Sequence, residues 1–426
     1  MKNKQTERFI QFGTGGFLRG FADWMIQKIN DSTDFEGSVV MVQNTENGLS
    51  DLLTRQHCQY THILRGVEGV EAEEIKVISR CVNPFADFGA YLALAEQPEM
   101  RFIISNTTEA GIVFDPDDKP ENAPHITFPA KLTLLMKQRC DKALKGFILL
   151  PCELIDRNGD KLRETVLQYA KLWGYSPEFS NWIVRENIFC CTLVDRINTG
   201  YPKGEEITLK YDDKLLNASE HYHLWVIETD HDLSNEFPFH KAGLNVIVTR
   251  DQLEQYRTRK VRILNGAHTA LVPHALLSGF DTVKACMDDA QMQAYLRRCI
   301  FDEIIPTLDC PREELLSYAE SVLTRFANPY IKHYLSAISL NSVSKFKVRV
   351  LPSILGYKER FGTYPPTLMF AFARLIEFYK TDLANDLPEV MAFMRTHSTA
   401  EILANKGLWD CDLSHLLAEV QKYENP

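Results

Sequence analysis

Apolar and polar positions change their spacing near residue 250. Before that point the chain shows short apolar runs bounded by glycine, proline and asparagine, which is how strands buried on both faces read. Residues 7–12 form such a strand and run into Gly13-Thr14-Gly15-Gly16, after which Leu18, Phe21, Met25 and Ile29 recur at helical spacing. Residues 38–42, 101–105 and 146–154 predict three more buried strands, with a helix over 130–140. Residues 59–66, 74–78, 220–228 and 244–248 read as additional strand material, and 115–124 as a solvated loop. From residue 251 the period is helical. Pro311, with Glu313 and Glu314 behind it, opens a helix through Phe326, and Asn328-Pro329 opens the next. Residues 366–380 are apolar on nearly all sides and predict a central core helix. Residues 260–277 also read as one helix, stopped at Ser278-Gly279 because glycine can take the left-handed conformation there. Alternating Lys345, Lys347 and Arg349 read as a solvated strand face or loop.

The fold class that follows is α/β. Residues 1–250 predict a Rossmann-type dinucleotide-binding domain with extra strands, and 251–426 a mostly α-helical domain that brings substrate and catalytic residues to it.

A length of 426 residues, 45% hydrophobic and 24% charged, suffices for two domains with substantial cores. The formal charge of −10 speaks against nucleic acid or an anionic membrane as partner, and leaves a small-molecule substrate, even an anionic one held in a local basic pocket. The first eight residues lack the apolar core of a signal peptide, and no run reaches the length of a membrane span. Ten cysteines are scattered without a Cys-x-x-Cys pair, so reduced thiols in the cytoplasm are the simpler reading than zinc or disulfides.

Strand, glycine turn and helix are the context in which Gly13-x-Gly15 gains a meaning. The glycines let the backbone close on a pyrophosphate, and the helix start supplies amide donors. Leu18 replaces the third glycine of the usual fingerprint, and alone the motif fits an ordinary strand-turn-helix equally well. The second strand ends in Gln43-Asn44. It offers neither an acid for the adenosine ribose nor a cation for a 2′-phosphate, which favours NAD. Small polar residues Asn106 to Thr108 follow the strand at 101–105, where open α/β sheets bind ligands, although helix-capping loops use the same residues.

Lys260, Asn265 and His268 offer a cation, an amide and an imidazole along one helix. On such a helix Lys260, Leu264 and His268 follow one ridge with Asn265 beside it, while Arg262 points away and anchors the helix. Such residues are usually solvated. Here Ile263, Leu264, Ala267, Ala270, Leu271 and Val272 leave little room for a wet face. A desolvated lysine can exchange a proton with an alcohol, and an amide can hold the oxyanion.

The string Lys260-x-x-x-x-Asn265-x-x-His268, preceded by Tyr256, resembles the signature of the polyol-specific long-chain dehydrogenases, the family of mannitol dehydrogenases, fructuronate reductases and tagaturonate reductases. Gly-x-Gly-x-Phe17-x-Arg19 is how that family opens, and the longer Ile10-to-Arg19 string resembles its tagaturonate reductase branch. Val194-Asp195-Arg196-Ile197 matches a further family segment. The resemblance implies Lys260 as general acid/base, with Asn265 and His268 beside the reacting carbon. It also implies Asn158 as the oxyanion partner of Asn265, and Lys345 as a substrate contact. Ile10, Gln11, Phe12, Gly13, Thr14, Gly15, Gly16, Phe17, Leu18 and Arg19, with Asn106 and Thr107 in a Thr-Glu-x-Gly turn, are implied to hold NAD. No metal is implied, since the lysine and asparagines do the polarising. Two departures bear on the substrate. Pro151-Cys-Glu-Leu154 replaces the Ser-Cys-Asp-Asn of mannitol dehydrogenases, and Ala337 stands where those enzymes carry a substrate arginine. The implied reaction is NADH-dependent reduction of D-tagaturonate to D-altronate. D-Fructuronate or a mannitol-type polyol is the near alternative, and a dinucleotide sensor without catalysis is an alternative of another class.

Overall fold

The computed structural model describes residues 5–424 except 109, 206 and 210. Residues 1–4 of the amino terminus and Glu109 of the Thr-Glu-x-Gly turn lie outside the described residues. The chain divides into two compact units between Leu253 and Glu254.

The first unit begins with β1 (Thr6–Phe12), β2 (Gly37–Val42), β3 (Tyr60–Gly66), β4 (Gly69–Ile75), β5 (Ile78–Val82), β6 (Phe102–Ser105), β7 (Ile148–Pro151) and β8 (Ile188–Phe189). It continues with β9 (Cys191–Asp195), β10 (Asn198–Gly200), β11 (Asn217–Ser219), β12 (Leu224–Glu228) and β13 (Val246–Thr249). Six of these form an all-parallel sheet in the order β5-β2-β1-β6-β7-β8. The strand order reverses between β1 and β6, which end in register at Phe12 and Ser105. In such a sheet the crevice beyond the carboxyl ends at the reversal is the ligand site. The continuous apolar runs have a simple cause. Phe9, Met41, Ile104 and Leu150 fill one face, and Ile10, Val40, Ile103 and Leu149 the other. The other strands make two smaller sheets, β10-β11-β3-β4 and β13-β12-β9. Residues 74–78, expected as one piece of strand, span the end of β4 and the start of β5.

The helix expected after the glycine turn is broken into α1 (Gly16–Arg19) and α2 (Ala22–Ser32), with Phe21 at φ −125° and ψ −78° between them. Packing against the second sheet causes the break. A Cβ on Gly20 would stand 2.4 Å from Asn198, 2.7 Å from Asn217 and 2.8 Å from His62. The carbonyls at the break accept hydrogen bonds from outside the helix. Asn217 Nδ2 donates to Gly16 O (2.8 Å), the Tyr60 hydroxyl to Arg19 O (2.6 Å) and Arg196 Nη1 to Gly20 O (2.9 Å). α3 (Phe128–Asp141) and α4 (Asn158–Leu172) cover the first sheet. Asn158-Gly159 starts α4, behind Arg157 in the left-handed conformation at φ +47°.

The second unit is helical. Residues 260–277, expected as one helix, divide into a π-helical turn (Lys260–Asn265), which continues α5 (Leu253–Arg259), and α6 (Gly266–Leu277), closed at Gly279 with φ +83°. α7 (Arg312–Phe326) begins behind Pro311 as its sequence demands. Asn328-Pro329 opens no helix, and the next helical turn starts at Leu335. Residues 342–349 correct a second expectation, because they form α8 (Ser342–Arg349) and not a strand. Val343 and Phe346 are buried, and that one-sided burial suits a helix, not an alternating strand. α9 (Pro366–Tyr379) buries Leu368, Met369, Phe372, Leu375 and Ile376 and packs along α6. Its first turn is closed by the buried Glu303, whose carboxylate accepts from Thr367 N and Leu368 N, each at 2.7 Å. No helix among the described residues is long and apolar enough to cross a membrane.

Candidate active site

The glycine turn leaves β1 at the sheet's reversal. Gly13 has φ +121°, a conformation that L side chains rarely adopt, and a Cβ there would meet Asn106 O at 3.2 Å. Around Gly15 a Cβ would find nothing within 4 Å, so the backbone here borders open space. This is a cradle that fits a pyrophosphate. Ile10, Phe12 and Leu18 are core residues, so any contact they make with a cofactor runs through the backbone. Gln11 is also buried, and its amide lies 3.3 Å from Gly13 O and 3.4 Å from Asp23. The Thr14 hydroxyl accepts from Leu49 N (3.2 Å), and Phe17 stacks on Phe21 at 5.2 Å.

Arg19, implied by the family opening to hold NAD, turns its guanidinium inward: it is buried, donates to Leu215 O at 2.5 Å and lies 5.0 Å from the centre of the Tyr60 ring. Burial lowers its pKa, and the residue locks α1 to the added strands.

Asn106 and Thr107 follow β6 as expected, and the segment that replaces the mannitol pattern holds them, Thr107 through Glu153 and Asn106 through Cys152 O. Glu153 Oε1 accepts from Thr107 N and Oγ1, each at 2.9 Å, and Oε2 from Ser105 Oγ at 3.0 Å. Asn106 Nδ2 donates to Cys152 O at 2.9 Å. Burial raises the pKa of Glu153, and its hydrogen bonds partly offset the effect. A lone acid closing a buried apolar run was the available signal.

Asn158, implied as an oxyanion partner of Asn265, is held by backbone groups. Its Nδ2 faces the carbonyls of Pro151 (2.9 Å), Glu153 (3.1 Å) and Thr192 (3.1 Å). Its Oδ1 accepts from Gly159 N (2.9 Å) and Thr192 N (2.8 Å). Both amide hydrogens are committed to the backbone, leaving none for a substrate oxygen.

At the end of β2, the Gln43 side chain turns inward and bonds Ser50 and Glu46 O. A cation absent from the local sequence arrives from α3, because Lys131 Nζ donates to Asn44 O at 2.7 Å. It also lies 5.1 Å from the Phe85 ring centre. Lys131 is almost wholly covered, and burial lowers its pKa to about 8.

In the second unit, Lys260 and Asn265 are half-buried at the two ends of the π turn. π turns are rare and recur at functional sites. Asn265 O accepts from Thr269 Oγ1 at 2.8 Å, while its side-chain amide makes no hydrogen bond among the described residues. The turn changes the expected ridge of Lys260, Leu264 and His268, since each added residue shifts everything before it by about 100° around the axis. Arg262 anchors the turn as expected, donating to Ser353 Oγ (2.6 and 2.8 Å) and Thr307 Oγ1 (3.0 Å). His268 is stacked on Phe326, ring centres 4.1 Å apart, and its Nε2 is buried without a partner. Burial pushes its pKa well below the usual value, with His333, Arg325 and Arg349 adding to the effect, so the ring is neutral at pH 7. Lys345 sits on α8 and donates to Ile338 O at 2.9 Å.

The Rossmann-domain model of the mannitol dehydrogenases matches residues 7–241, and their C-terminal-domain model matches residues 252–424. The chain belongs to the mannitol dehydrogenase family and is an NAD-dependent oxidoreductase acting on CH–OH groups. Within that class it is 43% identical to the altronate oxidoreductases of Shigella flexneri and Escherichia coli O139:H28, over 98% of this chain and 93% of each of theirs. The solved D-sorbitol dehydrogenase, in substrate-free form, has the same fold with a TM-score of 0.83 at 22% identity, covering 99% of this chain and 92% of that one. Pseudomonas fluorescens mannitol 2-dehydrogenase, solved with NAD and D-mannitol, gives 0.70 at 21%, covering 99% and 91%.

Proposed function

We propose that this protein reduces D-tagaturonate to D-altronate with NADH, reversibly, as a step of hexuronate breakdown in the cytoplasm. The observation that carries this reading is the π turn with Lys260 and Asn265 at its ends and neutral His268 behind it, in a chain 43% identical to altronate oxidoreductases over nearly its whole length. Residues 10–19, with Asn106 and Thr107, would hold NADH, which would supply the hydride. Lys260 gives a proton to the alkoxide as it forms and takes one back in the reverse direction. The open amide of Asn265 donates to that developing charge, and the unpartnered His268 Nε2 orients the reacting hydroxyl. Asn158 supports the site only through the backbone it holds. Ala337, where a polyol-contacting arginine is absent, and the basic face of α8 support a sugar acid over a neutral polyol.

The test is NADH oxidation with D-tagaturonate, D-fructuronate and D-fructose side by side. Tagaturonate should give the highest kcat/KM. Preference for fructuronate replaces the substrate with its epimer, and equal turnover of fructose removes the sugar-acid reading altogether.

A further inference from the structure

α8 carries three cations whose surroundings differ. Lys347 is paired with Asp410 at 2.8 Å and lies on one side of the helix. Lys345 and Arg349, four residues apart, share another face. Neither makes an ion pair with a carboxylate among the described residues. Lys345 has the Ile338 carbonyl, and Arg349 Nη1 has the Thr269 hydroxyl at 3.4 Å, the outer limit of a hydrogen bond. That hydroxyl also donates to Asn265 O, so Arg349 stands against the helix turn that follows the π turn. Arg349 acts electrostatically on both Lys345 and His268, so its charge lies near two residues of the proposed site. Burial lowers the pKa of Arg349, and no acid offsets it. A half-buried guanidinium without a counter-ion is a standing cost that a bound anion removes, and its planar fork matches a carboxylate.

We propose that Arg349, with Lys345 beside it, seats the substrate's carboxylate and so selects sugar acids over neutral polyols. This rests on the reading that the substrate is a keto-uronate, and it adds the residue that recognises the acid. Lys347, spent on Asp410, takes no part.

The experiment measures binding by titration calorimetry, on the full-length enzyme saturated with NADH, of D-altronate and of the uncharged alditol of the same configuration. Wild type should bind the acid about thirtyfold more tightly, equivalent to roughly 2 kcal/mol. Arg349→Gln should bring that ratio to about threefold or less with alditol affinity unchanged. Lys345→Met should lower it by a smaller factor, and Lys347→Gln should leave it as in wild type. The proposal is overturned if wild type shows no preference for the acid, if Arg349→Gln keeps the ratio, or if it weakens both ligands equally. Should Arg349→Gln fail to fold, Arg349→Lys and Lys345→Met carry the test, and an unchanged ratio in both overturns the proposal. Wild-type turnover of D-tagaturonate is measured in parallel. If tagaturonate is not reduced while the acid preference depends on Arg349, the substrate reading falls and the carboxylate seat stands.

Discussion

Lys260 and Asn265 are the first and last residues of one π turn, five positions apart, and the i→i+5 hydrogen-bond repeat of that turn brings them nearer to one side of the helix than α-helical spacing would. In an α-helix Lys260 would share its ridge with Leu264, an apolar residue that here is buried. The irregular turn therefore moves Lys260 off the ridge of Leu264 and closer to the side of Asn265, both half-buried. Arg262, tied to Ser353 and Thr307, keeps the turn from relaxing.

Removing the cation should stop the chemistry and spare the cofactor. Lys260→Ala is expected to lower kcat by several orders of magnitude, with NADH affinity, read by fluorescence titration, within about twofold of wild type. Near-normal turnover in this variant would deprive the π turn of its catalytic role.

The two asparagines should separate cleanly. Asn265→Ala is expected to lower kcat by roughly 100-fold or more with little change in unfolding midpoint, because it deletes an oxyanion donor. Asn158→Ala should lose about 2–4 kcal/mol of stability in urea unfolding, because it strands several buried backbone groups. A catalytic defect in a fully stable Asn158→Ala would restore its oxyanion role.

Much of this fold was legible in the sequence, and the reasons differ by element. The parallel strands announce themselves because two-sided burial demands unbroken apolar runs such as residues 102–105 and 148–151. The helix break at Gly20 was not legible, because its cause lies in Asn198, Asn217 and His62, remote in sequence. The π turn leaves no mark either, since a single extra residue does not disturb an apolar count. Asn158 and Asn265 are the same residue type beside a glycine, and only their partners tell a structural amide from an open one. Lys345, Lys347 and Arg349 alternate in sequence as on a strand face, and only the fold shows the burial of Val343 and Phe346 on one side that makes the segment a helix.

Cofactor choice follows from the end of β2. Lys131 reaches the end of β2 from α3, yet it is covered and spent on Asn44 O. NADH is therefore expected to exceed NADPH by at least about tenfold in kcat/KM, or roughly 1.4 kcal/mol. Equal use of both cofactors would mean that Lys131 swings out to meet a 2′-phosphate.

Asp23 makes stability depend on pH. It is fully buried beside Gln11 and Tyr60, and burial raises its pKa to about 7. A carboxyl raised in the fold contributes stability that is complete below its unfolded value near 3.8 and is lost as pH rises through about 7. Asp23→Asn should thus melt higher than wild type at pH 8 and show no gain at pH 4, a difference on the order of a few kcal/mol. A gain of equal size at both pH values would mean that Asp23 does not titrate with folding.

The break at Gly20 bears on how this domain can be engineered. Three carbonyls of the cofactor turn and its first helix are held by Asn217, Tyr60 and Arg196, which belong to or adjoin strands added to the Rossmann core. The turn is therefore not a portable cassette. A nucleotide loop transplanted from another dehydrogenase, with a side chain in place of Gly20, would collide with Asn198 and Asn217 and leave those donors idle. Exchanging cofactor specificity in this family member means recoding the loop and its supporting strands as one piece.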